Sequence, residues 1–105
     1  MEVRFEDPLL ERLEADPAHV GGFDGALVRA YRMRVQVIRA APDDRAFHAL
    51  KFLRYEKLQG DSPSQRTMRL DDRWRLMLRL EDNDARKQVV IVSITDNHRI
   101  SRGMP

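Results

Sequence analysis

The apolar residues change period halfway along the chain, and that change limits the possible folds more than any other feature. Leu27, Tyr31, Val35 and Ile38 recur at helical spacing, with Val28 and Val37 flanking them. This is the stripe of a helix with one buried face. Asp24 is placed to cap it near Gly25, and Ala40-Ala41-Pro42 closes it. Later the period drops to two. Trp74, Leu76, Leu78 and Leu80 face one way, and Arg73, Arg75 and Arg79 face the other.

The remaining segments fit the same division. Glu2-Val3-Arg4-Phe5 alternates as a short first strand. Asp7 and Pro8 read as the N-cap and first residue of a helix over 8–15, which Asp16-Pro17 ends. Gly21-Gly22 is a loop, and Asp43-Asp44 can cap one more turn through Phe47 and Leu50. A dense turn cluster, Gly60-Asp61-Ser62-Pro63-Ser64, precedes an alternating strand over 65–70. Asp71-Asp72 and Asp82-Asn83-Asp84 read as turns, and Val89–Thr95 is rich in β-branched residues, as in a central strand. The pattern predicts an α+β fold: two N-terminal helices packed on a small, mainly antiparallel twisted sheet. With 105 residues, a single domain spanning 1–105 is expected.

Composition excludes several classes. Hydrophobic residues make up 42% and charged residues 34%, and no apolar run approaches the length of a bilayer span. The opening MEVRFEDPLL lacks the order of a signal peptide, and with no cysteine there is no disulfide, thiolate metal site or cysteine nucleophile. A cytoplasmic protein without a cofactor is expected. The net charge of +2 hides an asymmetry: residues 1–26 carry −5 and the remainder +7. Sixteen of the 19 basic residues are arginine, whose planar fork suits phosphate.

The strand arginines carry the chemistry. If the apolar sheet face packs on the helices, the opposite face displays Arg69, Arg73, Arg75 and Arg79. Such a face suits phosphate, and nucleic acid above all; the alternative is a solvated sheet face. Glu56 precedes the turn cluster, and Asp96-Asn97-His98 follows the last strand. A carboxylate, an arginine and a histidine converging on one face could cleave RNA. The carboxylate takes the 2′-OH proton, the arginine stabilises charge on the phosphate, and the histidine protonates the leaving 5′-oxygen. His19 and His48 read as a loop residue and a residue among apolar neighbours, and the histidine spacing gives no metal site. Arg29, Arg32 and Arg34 offer a second basic surface on the long helix.

Three stretches together resemble the RelE/ParE toxin superfamily, and its HigB branch most. They are Leu53-Arg-Tyr-Glu-Lys-Leu-Gln-Gly-Asp61, Met68-Arg-Leu-Asp-Asp-Arg-Trp-Arg-Leu76 and Ile91-Val-Ser-Ile-Thr-Asp-Asn-His98. The resemblance implies a microbial RNase fold and a toxin that cleaves mRNA in the ribosomal A site. It also implies a HigA-like helix-turn-helix antitoxin, with operator DNA reached only through that antitoxin. Arg75 matches the family's phosphate-contacting arginine, His98 its acid/base histidine, and Glu56 the general base of YoeB-like members. Lys57, Arg69 and Arg73 match positions that hold the mRNA backbone; Arg79 joins them on the basic face, and Asp96 matches the closing motif. Asn97 stands where many members have tyrosine. The assignment of acid and base between Glu56 and His98 stays open. The same fold serves ParE-like inhibitors of DNA gyrase, and a degraded module that only binds antitoxin is a third possibility.

Overall fold

The computed structural model describes residues 1–58, 64–83 and 86–96. The chain runs β1 (Glu2–Phe5), α1 (Pro8–Ala15), α2 (Gly25–Ala40), α3 (Arg45–Ala49), a 3₁₀ turn (Lys51–Leu53), β2 (Glu56–Lys57), β3 (Gln65–Arg69), β4 (Trp74–Asn83) and β5 (Arg86–Asp96). The strands form one sheet in the order β1-β5-β4-β3-β2. β1 joins β5 in parallel, and the other pairs are antiparallel. This is the expected α+β arrangement, and no helix among the described residues is long and apolar enough to cross a membrane.

Both long helices start where local chemistry starts them. The Asp7 carboxylate accepts from the Leu9 amide at 2.9 Å, with Pro8 at the first helical position. A cap of this kind contributes about 1 kcal/mol. Asp24 accepts from the Ala26 amide in the same way. The apolar stripe of α2 is fully buried at Leu27, Val28, Tyr31, Val35 and Ile38. Each such side chain contributes roughly 1.5–3 kcal/mol by leaving water. They meet Leu10 and Leu13 of α1 and the sheet residues Met68, Leu76, Leu78, Val89 and Ile91. Polar contacts lock the two helices together. The Tyr31 hydroxyl donates to the Leu10 carbonyl at 2.8 Å, and Arg39 forks onto Glu14 at 2.9 and 2.8 Å.

Several local expectations are corrected. Arg32 and Arg34 are not a free basic surface on α2. Arg32 donates to the carbonyls of Leu13, Asp16, Pro17 and His19, which hold the end of α1. Arg34 donates to the Arg69 carbonyl at 2.8 Å. The turn after Asp43-Asp44 ends at Ala49. Asp43, rather than Asp44, accepts from the Arg45 amide, and Leu50 is exposed. Asp82 and Asn83 continue β4, because cross-strand pairs of Glu81 with Gln88 and Asp82 with Lys87 extend the ladder beyond the apolar pattern.

A bulge in β5 sets which residues face the helices. Met77 pairs with Ser93 but Leu78 pairs with Ile91, so Val92 is an extra residue. Ile91 and Ile94 are an odd number of residues apart and would face opposite ways in a regular strand. The bulge places both with Leu78 and Leu76 on the helix side. It also brings Ser93 and Thr95 opposite Met77 and Arg75 on the open face.

Candidate functional site: a buried arginine, a reachable carboxylate and a basic groove

Arg75 is the second residue of β4, the central strand, with Thr67 of β3 and Glu56 of β2 on the same face. Its Nη2 donates to the Arg54 carbonyl at 2.8 Å, the Thr67 hydroxyl at 2.9 Å and Glu56 Oε1 at 3.3 Å. The Arg75 side chain is 8% exposed, whereas Glu56 is 52% exposed. The guanidinium is therefore a strut beneath the face, and the carboxylate is the part that an external molecule can reach. A carboxylate on a cation has its position fixed while its outer lone pairs stay available to take a proton.

Arg54 shapes this corner. It has φ 48° and ψ 51°, a left-handed conformation at a non-glycine residue. That costs roughly 1–2 kcal/mol. The turn ends the 3₁₀ segment and presents the Arg54 carbonyl that Arg75 holds. The next residue, Tyr55, packs edge-on against Phe47 and His48. Burial pushes its hydroxyl up to about 12, so it stays protonated near neutrality.

The face is not the uniformly positive one that the sequence suggested: each of the other strand arginines has an acidic neighbour, although Arg69 and Arg73 stay 39% and 65% exposed. Arg69 pairs with Asp72, and Arg73 donates to Asp96 at 2.9 Å while lying 5.0 Å from the Trp74 ring centre. Arg79 bonds Glu81 at 3.0 Å and Glu6 at 3.3 Å. Those bonds, Glu81 first, raise the Arg79 pKa, and the Arg79 bond leads the lowering at Glu81. Acids from β4, β5, the β3–β4 turn and the residue after β1 thus interleave with the arginines, as Coulomb attraction favours. Arg79 also stands four residues along β4 from Arg75, roughly 13 Å at strand rise. Lys57 follows Glu56 on β2 and alternates to the opposite face. Of the predicted site residues, Glu56, Arg75 and Arg69 come together; Arg73 and Asp96 form a second cluster at one end of the β4–β5 pair. Asn97 and His98 lie outside the described residues. Among the described residues, no group of three or more His, Cys, Asp or Glu side chains could hold a metal ion.

Beside Arg75 lies a groove absent from the sequence reading. It has a volume of about 780 Å³ and is lined by Lys51, Phe52, Arg54, Arg69 and Asp72. Phe52 is 53% exposed, and the Arg34 guanidinium lies 5.2 Å from its ring centre. Burial, and secondarily the charge of Arg69, lower the Arg34 pKa. The signal available in sequence was the interleaving of Lys51, Phe52 and Arg54. That stretch has no readable period.

No family model matches the sequence, and no curated protein matches it. Among solved structures, the fold is similar to that of a YoeB/ParE toxin from Agrobacterium tumefaciens, with a TM-score of 0.60 and 13% identity. The match covers 92% of this chain and 99% of the other. Identity at this level speaks to backbone architecture alone: this chain has the same fold as that toxin.

Proposed function

We propose that this chain is the toxin of a type II toxin–antitoxin pair, HigB-like in its motifs, and that it is an endoribonuclease cutting mRNA in the ribosomal A site. The observation that carries this reading is the Glu56–Arg75 pair: a reachable carboxylate fixed by a buried guanidinium, next to Arg54 and Arg69, which line a basic groove. The fold shared with a YoeB/ParE toxin supports it. In the proposed reaction a base removes the 2′-OH proton, and the oxygen attacks the adjacent phosphorus. The P–O5′ bond breaks, leaving a 2′,3′-cyclic phosphate and a 5′-hydroxyl that receives a proton from the acid. Glu56 and His98 fill these two roles. Arg75 holds Glu56 and supplies positive potential from below, while Arg69 on the same face is proposed to contact the mRNA backbone, with Arg73 and Asp96 as a second contact at the end of the β4–β5 pair. The partners are the ribosome, mRNA and a HigA-like helix-turn-helix antitoxin, in the cytoplasm; the antitoxin brings the complex to operator DNA.

Purified protein is added to ribosomes programmed with mRNA, and cleavage is followed on a gel. Wild type should cut within translated codons and Glu56→Gln should be at least a hundredfold slower. Equal rates for the two would remove Glu56 from the reaction. One observation favours a second reading. Arg75 is buried and makes three bonds to its own protein, as a framework residue would. A ParE-like gyrase inhibitor would keep such an arginine without catalysis, and would block supercoiling with mRNA intact.

A further inference from the structure

We propose that the groove beside Arg75 is a stacking subsite for single-stranded RNA, in which Phe52 takes a base and Lys51, Arg54 and Arg69 take the flanking phosphates. This rests on the reading that the chain acts on RNA and names where the strand lies next to the cut. The first argument is the pairing of ring and charge. An aromatic residue more than half exposed, within a rim of three cations and one acid, matches a polymer of flat apolar faces joined by anions. The second argument is preorganisation. Arg34 is anchored by its bond to the Arg69 carbonyl at 2.8 Å and lies against the Phe52 ring, so the ring is braced before any ligand arrives.

Continuity with the proposed site is the third argument. Arg69 sits directly opposite Arg75 in the β3–β4 ladder, and the Arg54 carbonyl accepts from Arg75 itself. A strand leaving Phe52 along these residues arrives at Glu56. The Arg69–Asp72 ion pair does not close the route. Asp72 is fully exposed, and an exposed pair of this kind is weak enough for Arg69 to exchange its partner for a phosphate.

The test is fluorescence anisotropy with labelled decameric oligoadenylate and its fully abasic counterpart, at fixed salt. Phe52→Leu keeps apolar bulk and removes the π face, and Phe52→Trp keeps the π face. Thermal unfolding confirms that each variant is folded. Phe52→Leu should weaken binding of oligoadenylate on the order of tenfold and leave abasic binding unchanged, and Phe52→Trp should restore it. Oligoadenylate binding by Phe52→Leu equal to wild type, or failure of tryptophan to rescue, overturns the subsite. So does a result in which Phe52→Leu loosens only the antitoxin complex, which would make the groove a protein dock. Glu56→Gln, run in parallel in the cleavage assay, separates the two claims. Loss of stacking with no effect of Glu56→Gln on cleavage sinks the nuclease reading alone. Normal Phe52→Leu binding with an inactive Glu56→Gln sinks the subsite alone.

Discussion

Replacing Arg75 with methionine keeps much of the side-chain volume and removes the guanidinium. Three bonds disappear, to the Arg54 carbonyl, the Thr67 hydroxyl and Glu56. A hydrogen bond from a charged donor contributes about 1.5–3 kcal/mol. The Glu56 arm is half solvated and is discounted to about 0–1 kcal/mol. Relief of the buried charge returns part of the remainder, since apolar replacement of a buried ion recovers about 1–4 kcal/mol. The Arg54 carbonyl and Thr67 hydroxyl still lose a partner, which leaves a net cost of about 2–3 kcal/mol. For a chain of this size that is a fall in Tm of roughly 10–20 °C. The damage should be local. The Leu58 amide, which bonds the Gln65 carbonyl at 3.2 Å, should exchange faster with deuterium, while the amides of β5 lose only the global increment. In a double-mutant cycle, Thr67→Val should cost less beside Arg75→Met than alone, by about 1 kcal/mol. Urea unfolding within about 0.5 kcal/mol of wild type, with Leu58 exchange unchanged, would refute the strut.

Other perturbations probe separate parts of the structure. The Tyr55 hydroxyl is raised from 10.0 to about 12 by burial, so the folded form holds its proton where the unfolded form has lost it. Stability should therefore fall as pH rises from 10 to about 12, with a slope near 1.4 kcal/mol per pH unit from this group, and Tyr55→Phe should remove that component in urea unfolding at stepped pH. Deleting Val92 removes the extra residue and leaves Ile91 and Ile94 two positions apart on one face of a regular strand, so the variant should keep cooperative thermal unfolding, whereas a Val92 deletion that abolishes it would show that the bulge does more than restore register. Arg32→Met releases four carbonyls at the end of α1 and should lower stability by about 1–2 kcal/mol in the same unfolding assay.

What could be read from sequence was whatever local chemistry decides. Asp7-Pro8 and Asp24 start their helices by capping, and the stripe from Leu27 to Ile38 buries one face of α2, so the helix bounds follow from neighbours in the chain. β3 and most of β4 follow from strict alternation. β2 has two residues and therefore no period; only its pairing with Thr67 and Arg66 makes it a strand. The Val92 bulge is likewise a property of two strands together. The site shows the same limit. Arg75, Glu56 and Arg69 were identified one by one, but alternation implied that Arg75 would be exposed. Its burial depends on the Arg54 turn folding over it, and the pairing of Arg79 depends on Glu6, far away in the chain. Long-range electrostatic partners leave no periodic trace. The Phe52 groove was missed because its Arg34 comes from α2 and its Arg69 from β3.

The most direct measurement is to map mRNA 5′ ends by primer extension in growing bacteria expressing wild type, Glu56→Gln or His98→Ala, with plasmid supercoiling followed in the same cultures. The nuclease account predicts growth arrest and new ends inside translated codons for wild type, neither for the two variants, and normal supercoiling throughout. Arrest by all three with intact mRNA would contradict it, and relaxed plasmid in those cultures would place the target at gyrase.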